Sequence, residues 1–132
     1  MAEIPKQFYP DDAGFDLQTM HEVYIPPLDH ALVNTGIAIA LPDWLVAITC
    51  NKSSIMMKKL VVGQGVIDSG YRGEVRVVVY NLDRLQTLRF YPGEHIAQIM
   101  FIPFWSRRLK EVYELPPSKR GTKGFGSSRK AN

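Results

Sequence analysis

Three stretches of this chain hold residue types that could handle a phosphate ester. RGTKGFGSS (120–128) sets glycines among Arg120, Lys123, Phe125, Ser127 and Ser128. Glycines let backbone N–H groups approach phosphate oxygens closely, and the two cations supply counter-charge. The stretch is not a Walker loop, whose spacing it lacks. Phe125, between Gly124 and Gly126, has nothing local to pack on, so its ring could lie over a nucleobase. The second stretch is NKSS (51–54), where Ser53 and Ser54 beside Lys52 would give an anion hydroxyls and helix-start N–H groups. The third is GVIDSGYRGEV (65–75), in which Asp68 precedes the turn Ser69-Gly70 and Tyr71 follows it. A carboxylate there could hold a water and deprotonate it as it attacks phosphorus. Gly65, Val66 and Ile67 read as buried strand, so Asp68 would carry a desolvation cost that only a function repays. Each stretch also has an ordinary reading: a solvated tail, a capped helix and an Asp opening a β-turn.

Other combinations are thinner. Asp16 in AGFDL and Gln98 in HIAQI each interrupt an apolar run and could be satisfied core polar groups. His21, His30 and His95 have no metal-ligand spacing, and with Cys50 alone there is no zinc site to propose. No G-x-S-x-G elbow motivates a serine nucleophile.

The elements that must position these residues are almost all β. Short apolar runs recur between turn residues: HEVYIPP, HALVNTGIAIALP, WLVAITC, LVVGQGVID, GEVRVVVYNL, LRFYPGEHIAQIMFIPFW and LKEVYELPP. In EVRVVVY the alternation places Val75, Val77 and Val79 on one face of a half-buried strand. Punctuation comes from Pro26-Pro27, Pro42-Asp43, Ser69-Gly70 and Pro92-Gly93, and this spacing favours a β-sandwich or barrel. NKSSIMMKKL reads instead as a helix of one or two turns, with Ser53 or Ser54 at the N-cap and lysines near its end. From Pro116 onward the chain has one large apolar residue, Phe125, and reads as a mobile arm. The expected organisation is a β domain over 1–115 and an arm over 116–132.

The chain has 132 residues, enough for one core without disulfides or metal. A lone cysteine suits a reducing, cytoplasmic setting. MAEIPKQFYPDD does not read as a signal peptide, and no run approaches the roughly 18 apolar residues of a membrane span. Residues 105–132 carry eight Lys/Arg against Glu111 and Glu114, a net +6, while the remainder carries −3. That segment wants a polyanion, either a nucleic acid or the phosphates of a small ligand.

Five segments stand in a familiar order: AGFDL (13–17), NKSSIMMKK (51–59), GVIDSGYRGEV (65–75), GEHIAQIMF (93–101) and RGTKGFGSS (120–128). Together they resemble the five motifs of the trimeric dUTPases and reach from near the start of the chain to near its end. The resemblance implies a distorted jelly-roll-like β-barrel or sandwich with one short helix and a flexible C-terminal arm. It implies a homotrimer with active sites at subunit interfaces, and Mg²⁺-dependent hydrolysis of dUTP to dUMP and pyrophosphate. That reaction would limit uracil incorporation into DNA and supply dUMP for thymidylate synthesis. Asp68 would activate the water that attacks the α-phosphorus. Tyr71 would pack on deoxyribose and leave no room for a 2′-hydroxyl. Backbone from about Val62 to Asp68, including Gly65, Val66 and Ile67, would bond the uracil edge together with the strand near Arg76. Lys52, Ser53, Ser54 and Gln98 would hold phosphates. Arg120 would reach the γ-phosphate region, with Phe125, Gly126 and Ser127 closing over the substrate. Asp16 would meet Mg²⁺ through water.

The chain departs from the family where Pro-Arg-Ser-Gly is usual, having Asn51-Lys52-Ser53-Ser54. Lysine keeps the charge and loses the guanidinium's forked hold on phosphate. Ser54 adds a side chain where backbone must approach, and Lys123 replaces a common glycine. Two alternatives follow from the same residues. One is a dCTP deaminase, but that family's catalytic glutamate and arginine fall on Val78 and Val66 here, which argues against it. The other is a binding or regulatory module whose basic arm contacts a partner. The arm is expected to bind the phosphates of dUTP, with nucleic acid an unlikely partner and no membrane involved.

Overall fold

The computed structural model describes residues 2–105 and 107–124. Nine strands and one short helix follow one another as β1 (Phe15–Gln18), β2 (Val23–Ile25), β3 (His30–Ala38), β4 (Leu45–Cys50), α1 (Ser53–Met56), β5 (Leu60–Val62), β6 (Val66–Ile67), β7 (Glu74–Asn81), β8 (Leu88–Phe90) and β9 (His95–Pro103). All pairings are antiparallel and form three sheets, ordered β1-β9-β4-β6, β2-β8 and β3-β7-β5. The sheets do not close into a barrel. The all-β, jelly-roll-like expectation holds in its sandwich form.

Alternation builds the core. Val75, Val77 and Val79 of β7 are buried, and Val33 of β3 stands opposite Val77. Leu17, Ile96 and Ile99 supply the facing side from β1 and β9. Burying each such side chain stabilises the fold by about 1.5–3 kcal/mol relative to exposure. At Pro92-Gly93 the chain reverses between β8 and β9, with Gly93 at φ +87, a conformation glycine reaches without strain.

Several expectations are corrected. LVVGQGVID is two strands, β5 and β6, because Gly63-Gln64-Gly65 breaks the run. LRFYPGEHIAQIMFIPFW is β8 and β9, divided at Pro92-Gly93 as its turn residues predict. Strand β1, only four residues long, was hidden in AGFDL. The stretch LKEVYELPP forms no strand, and its Leu109, Tyr113 and Leu115 are exposed. Strand character requires a paired neighbour, and among the described residues none runs beside it. In α1 the N-cap is Lys52, with no side-chain cap, so neither serine caps the helix. Lys52 is the last extended residue after β4, which makes Ser53 the first helical one. The lysines lie past the last turn: Lys59 adopts φ 58 and its Nζ bonds Asp83 at 2.8 Å. No helix of the described residues is long and apolar enough to cross a membrane.

Candidate active site

The expected site residues of the β domain gather around two separate clefts. The first, of about 270 Å³, lies between the free edge of β6 and the start of β7. Gly65, Val66, Ile67, Asp68, Tyr71 and Arg76 all line it. Asp68 is exposed and Val66 is 64% exposed, so the buried-strand reading of Gly65–Ile67 is corrected. The reason is position: among the described residues β6 pairs only with β4, at the edge of its sheet. Asp68 is therefore not desolvated by its own chain.

This edge is shaped by hydrogen bonds that leave some backbone groups used and others free. Val62 N–H donates to Asn51 Oδ1 at 2.7 Å, Gly63 N–H to Val78 O at 2.8 Å, and Gly65 N–H to Thr49 Oγ1 at 2.8 Å. Thr49 N–H donates to Gly65 O at 3.0 Å, so strand alternation turns the N–H and C=O of Val66 outward from β4. An outward donor and acceptor on one extended residue can imitate the pairing edge of a base. Past the turn, Tyr71 N–H donates to Asp68 O at 3.0 Å and the Tyr71 hydroxyl to Glu74 O at 3.2 Å. The ring lies directly on Gly73, where a methyl group would overlap the tyrosine hydroxyl. Arg72 ties the turn off by donating to Ser69 O at 2.6 Å. Glu74 also borders the cleft, but its carboxylate accepts from Asn34 Nδ2 at 2.6 Å and Gly36 N–H at 2.7 Å.

The second cleft, of about 290 Å³, is lined by Asp16, Lys52 and Gln98, with Phe8, Tyr9 and Asp12. Register assembles it: β9 runs between β1 and β4, so Gln98 stands opposite both Asp16 and Cys50. Lys52 Nζ forms an ion pair with Asp16 Oδ2, and His95 Nδ1 lies 3.3 Å from the same oxygen. Gln98 folds its side chain over Gly14, where any Cβ would overlap its Oε1. Cys50 beside it donates Sγ–H to Gln98 O at 3.6 Å, and burial pushes its thiol pKa up, keeping it neutral. Ser53 and Ser54 are exposed next to Lys52. Among the described residues no three His, Cys, Asp or Glu side chains converge as a metal cage. Both contacts to Asp16 fall on Oδ2.

The two clefts are distant within one chain. Ile67 stands opposite Ala47, so Asp68 stands beside Val46, and β4 continues four residues to Cys50 before Lys52. At the usual strand rise that separates Asp68 from the end of β4 by about 13 Å, with Lys52 farther on. Arg120 lines neither cleft: its Nε donates to Lys123 O at 2.9 Å in an exposed local turn. Phe125, Gly126 and Ser127 lie outside the described residues. Thr49, Glu74 and His95 were not anticipated. A single hydroxyl inside the apolar run WLVAITC was the only available signal for Thr49.

Known proteins resemble this chain in sequence and in fold. The sequence family described as dUTPase matches residues 1–129. The deoxyuridine 5′-triphosphate nucleotidohydrolase of Tropheryma whipplei is 42% identical over 127 residues, covering 94% of this chain and 87% of that protein. The enzyme of the same name from Streptomyces griseus is 40% identical over 128 residues, covering 95% of this chain and 73% of its own. Among solved structures, the Staphylococcus bacteriophage 80alpha dUTPase with dUPNHPP aligns at a TM-score of 0.91. It is 30% identical, and the alignment covers 96% of this chain and 92% of that one.

Proposed function

This chain belongs to the dUTPase family, and from that premise we propose that its two clefts are halves of one active site completed between subunits. The chain is a dUTP diphosphatase that hydrolyses dUTP to dUMP and pyrophosphate. In the proposed mechanism Asp68 orients a water and takes its proton as the water oxygen attacks the α-phosphorus. The bond from that phosphorus to the α–β bridging oxygen breaks, and pyrophosphate leaves. The outward N–H and C=O of Val66, between Gly65 and Ile67, bond the uracil edge, with the strand near Arg76 lining the same cleft. Tyr71, held on Gly73, packs on the deoxyribose and excludes a 2′-hydroxyl. Lys52, Ser53, Ser54 and Gln98 of a neighbouring subunit hold the phosphates. Arg120 and the segment with Phe125, Gly126 and Ser127, on an arm over 116–132, close the site.

The observation that carries this reading is Asp68, exposed at the mouth of a cleft whose wall is a free backbone edge. The separation of Asp68 from Lys52 supports a site shared between chains, because both cannot reach one α-phosphate from a single chain. A homotrimer would satisfy that requirement. Mg²⁺ would be held mainly by the oxygens of the bound triphosphate, with Asp16 reaching it through water, an all-oxygen set that fits a small hard cation. When bound, the ion offsets charge that gathers on the departing pyrophosphate. The test is pyrophosphate release from dUTP with Mg²⁺, run beside dCTP, dTTP and UTP. Asp68→Asn should lower kcat by about 10²–10⁴-fold with KM little changed. Wild-type activity in that variant would remove Asp68 from the mechanism.

A further inference from the structure

The stretch leading from β4 into Lys52 carries two side chains, Thr49 on the wall of the first cleft and the half-buried Asn51, that hydrogen-bond the backbone at the end of β5 and in the segment joining it to β6. Thr49 is 2% exposed. Its Oγ1 accepts the Gly65 N–H at 2.8 Å and donates to Gly63 O at 3.3 Å. Two residues on, Asn51 Oδ1 accepts the Val62 N–H at 2.7 Å. These bonds bracket Gly63-Gln64-Gly65, the crossing between β5 and β6, on both sides. Gly65 fits closely against this hydroxyl, since a Cβ there would sit 3.1 Å from Thr49 Oγ1.

We propose that Thr49 and Asn51 are positioning residues for base selection: side-chain latches that hold the edge Gly65–Ile67 at the distance that admits uracil and excludes a 5-methyl group. The inference rests on the dUTPase reading of the first cleft. Its physical basis is that β6 is only two residues long and pairs with β4 at two positions. A two-residue edge strand cannot hold its own register, so the wall of the cleft is as rigid as the bonds that tie its entry. Thr49 supplies two of those bonds from one buried hydroxyl. The same run carries Lys52 into the second cleft, so one segment sets a wall in one cleft and a cation in the other.

Thr49→Val is nearly isosteric and removes both bonds, whereas Thr49→Ser keeps them. In Thr49→Val, amide exchange over residues 63–68 should quicken, KM for dUTP should rise, and the preference for dUTP over dTTP should fall by about tenfold. kcat for dUTP should change far less, and Thr49→Ser should restore all three readouts. Wild-type exchange rates or an unchanged dUTP/dTTP ratio in Thr49→Val would overturn the proposal. Should that variant fail to fold, Gly65→Ala presses the same contact from the other side, and wild-type selectivity there would overturn it equally. Failure of the dUTPase reading would be separate and visible, as absence of dUTP hydrolysis in the wild type.

Discussion

A carboxylate can take a proton from water only where water reaches it, and Asp68 stands on an exposed turn with Tyr71 beside it. What fixes Tyr71 is a missing side chain. Gly73 leaves room for the ring, and the hydroxyl then donates to Glu74 O at 3.2 Å. Gly73→Ala should push the ring off this seat. The expected result is a kcat/KM for dUTP reduced by about tenfold or more, together with a weaker preference for dUTP over UTP. Kinetics with both nucleotides on a variant that melts like wild type would check this. Unchanged selectivity would separate Tyr71 from sugar recognition. Lys52 illustrates how one substitution reshapes a contact. Its single ammonium is engaged by Asp16, and a point charge must leave that partner or share it to meet a phosphate.

Among the elements, the turn after the short helix and the loop after β7 are joined by Lys59 and Asp83. The Asp83 carboxyl is lowered to about 2, first by its hydrogen bond from Lys59 and then by the N–H groups of Leu85 and Gln86. A depressed folded-state pKa contributes stability that is present above the unfolded value and lost as pH falls through the folded one. The window therefore runs from 3.8 down toward 2. Melting temperatures across that window should fall more steeply for wild type than for Asp83→Asn, and parallel curves would refute the linkage. The C-terminal segment poses the opposite case, since the described residues 107–124 contain no strand and no helix. Its basic and glycine-rich composition belongs to the ligand in the proposed reading. A chain ending at Pro117 should melt like the full chain yet lose about tenfold or more in kcat/KM for dUTP. Full activity would detach the arm from the site.

At the scale of the whole molecule, the two clefts make a prediction about assembly. If Asp68 comes from one chain and Lys52 from its neighbour, Asp68→Asn and Lys52→Ala damage different halves of each site. Co-refolding the two variants in equal amounts should then restore up to about a quarter of wild-type activity, because random assembly rebuilds that share of sites intact. No recovery above the separate variants would mean that each chain completes its own site. The alternation of Val75, Val77 and Val79, the turn at Ser69-Gly70 and the five ordered motifs were legible in the sequence, because each depends on neighbours a few residues apart. So was the family, and with it the reaction. Which motifs share a cleft was not legible. The pairing of β9 with both β1 and β4 brings Asp16, Gln98 and Lys52 together from three distant segments. The pairing of Ile67 with Ala47 holds Asp68 away from them. The exposure of Asp68 and the latch at Thr49 also came only from the fold. Local sequence fixes which residues turn, alternate and carry charge, whereas register between strands far apart in the chain decides what they face, and only packing the whole core selects that register.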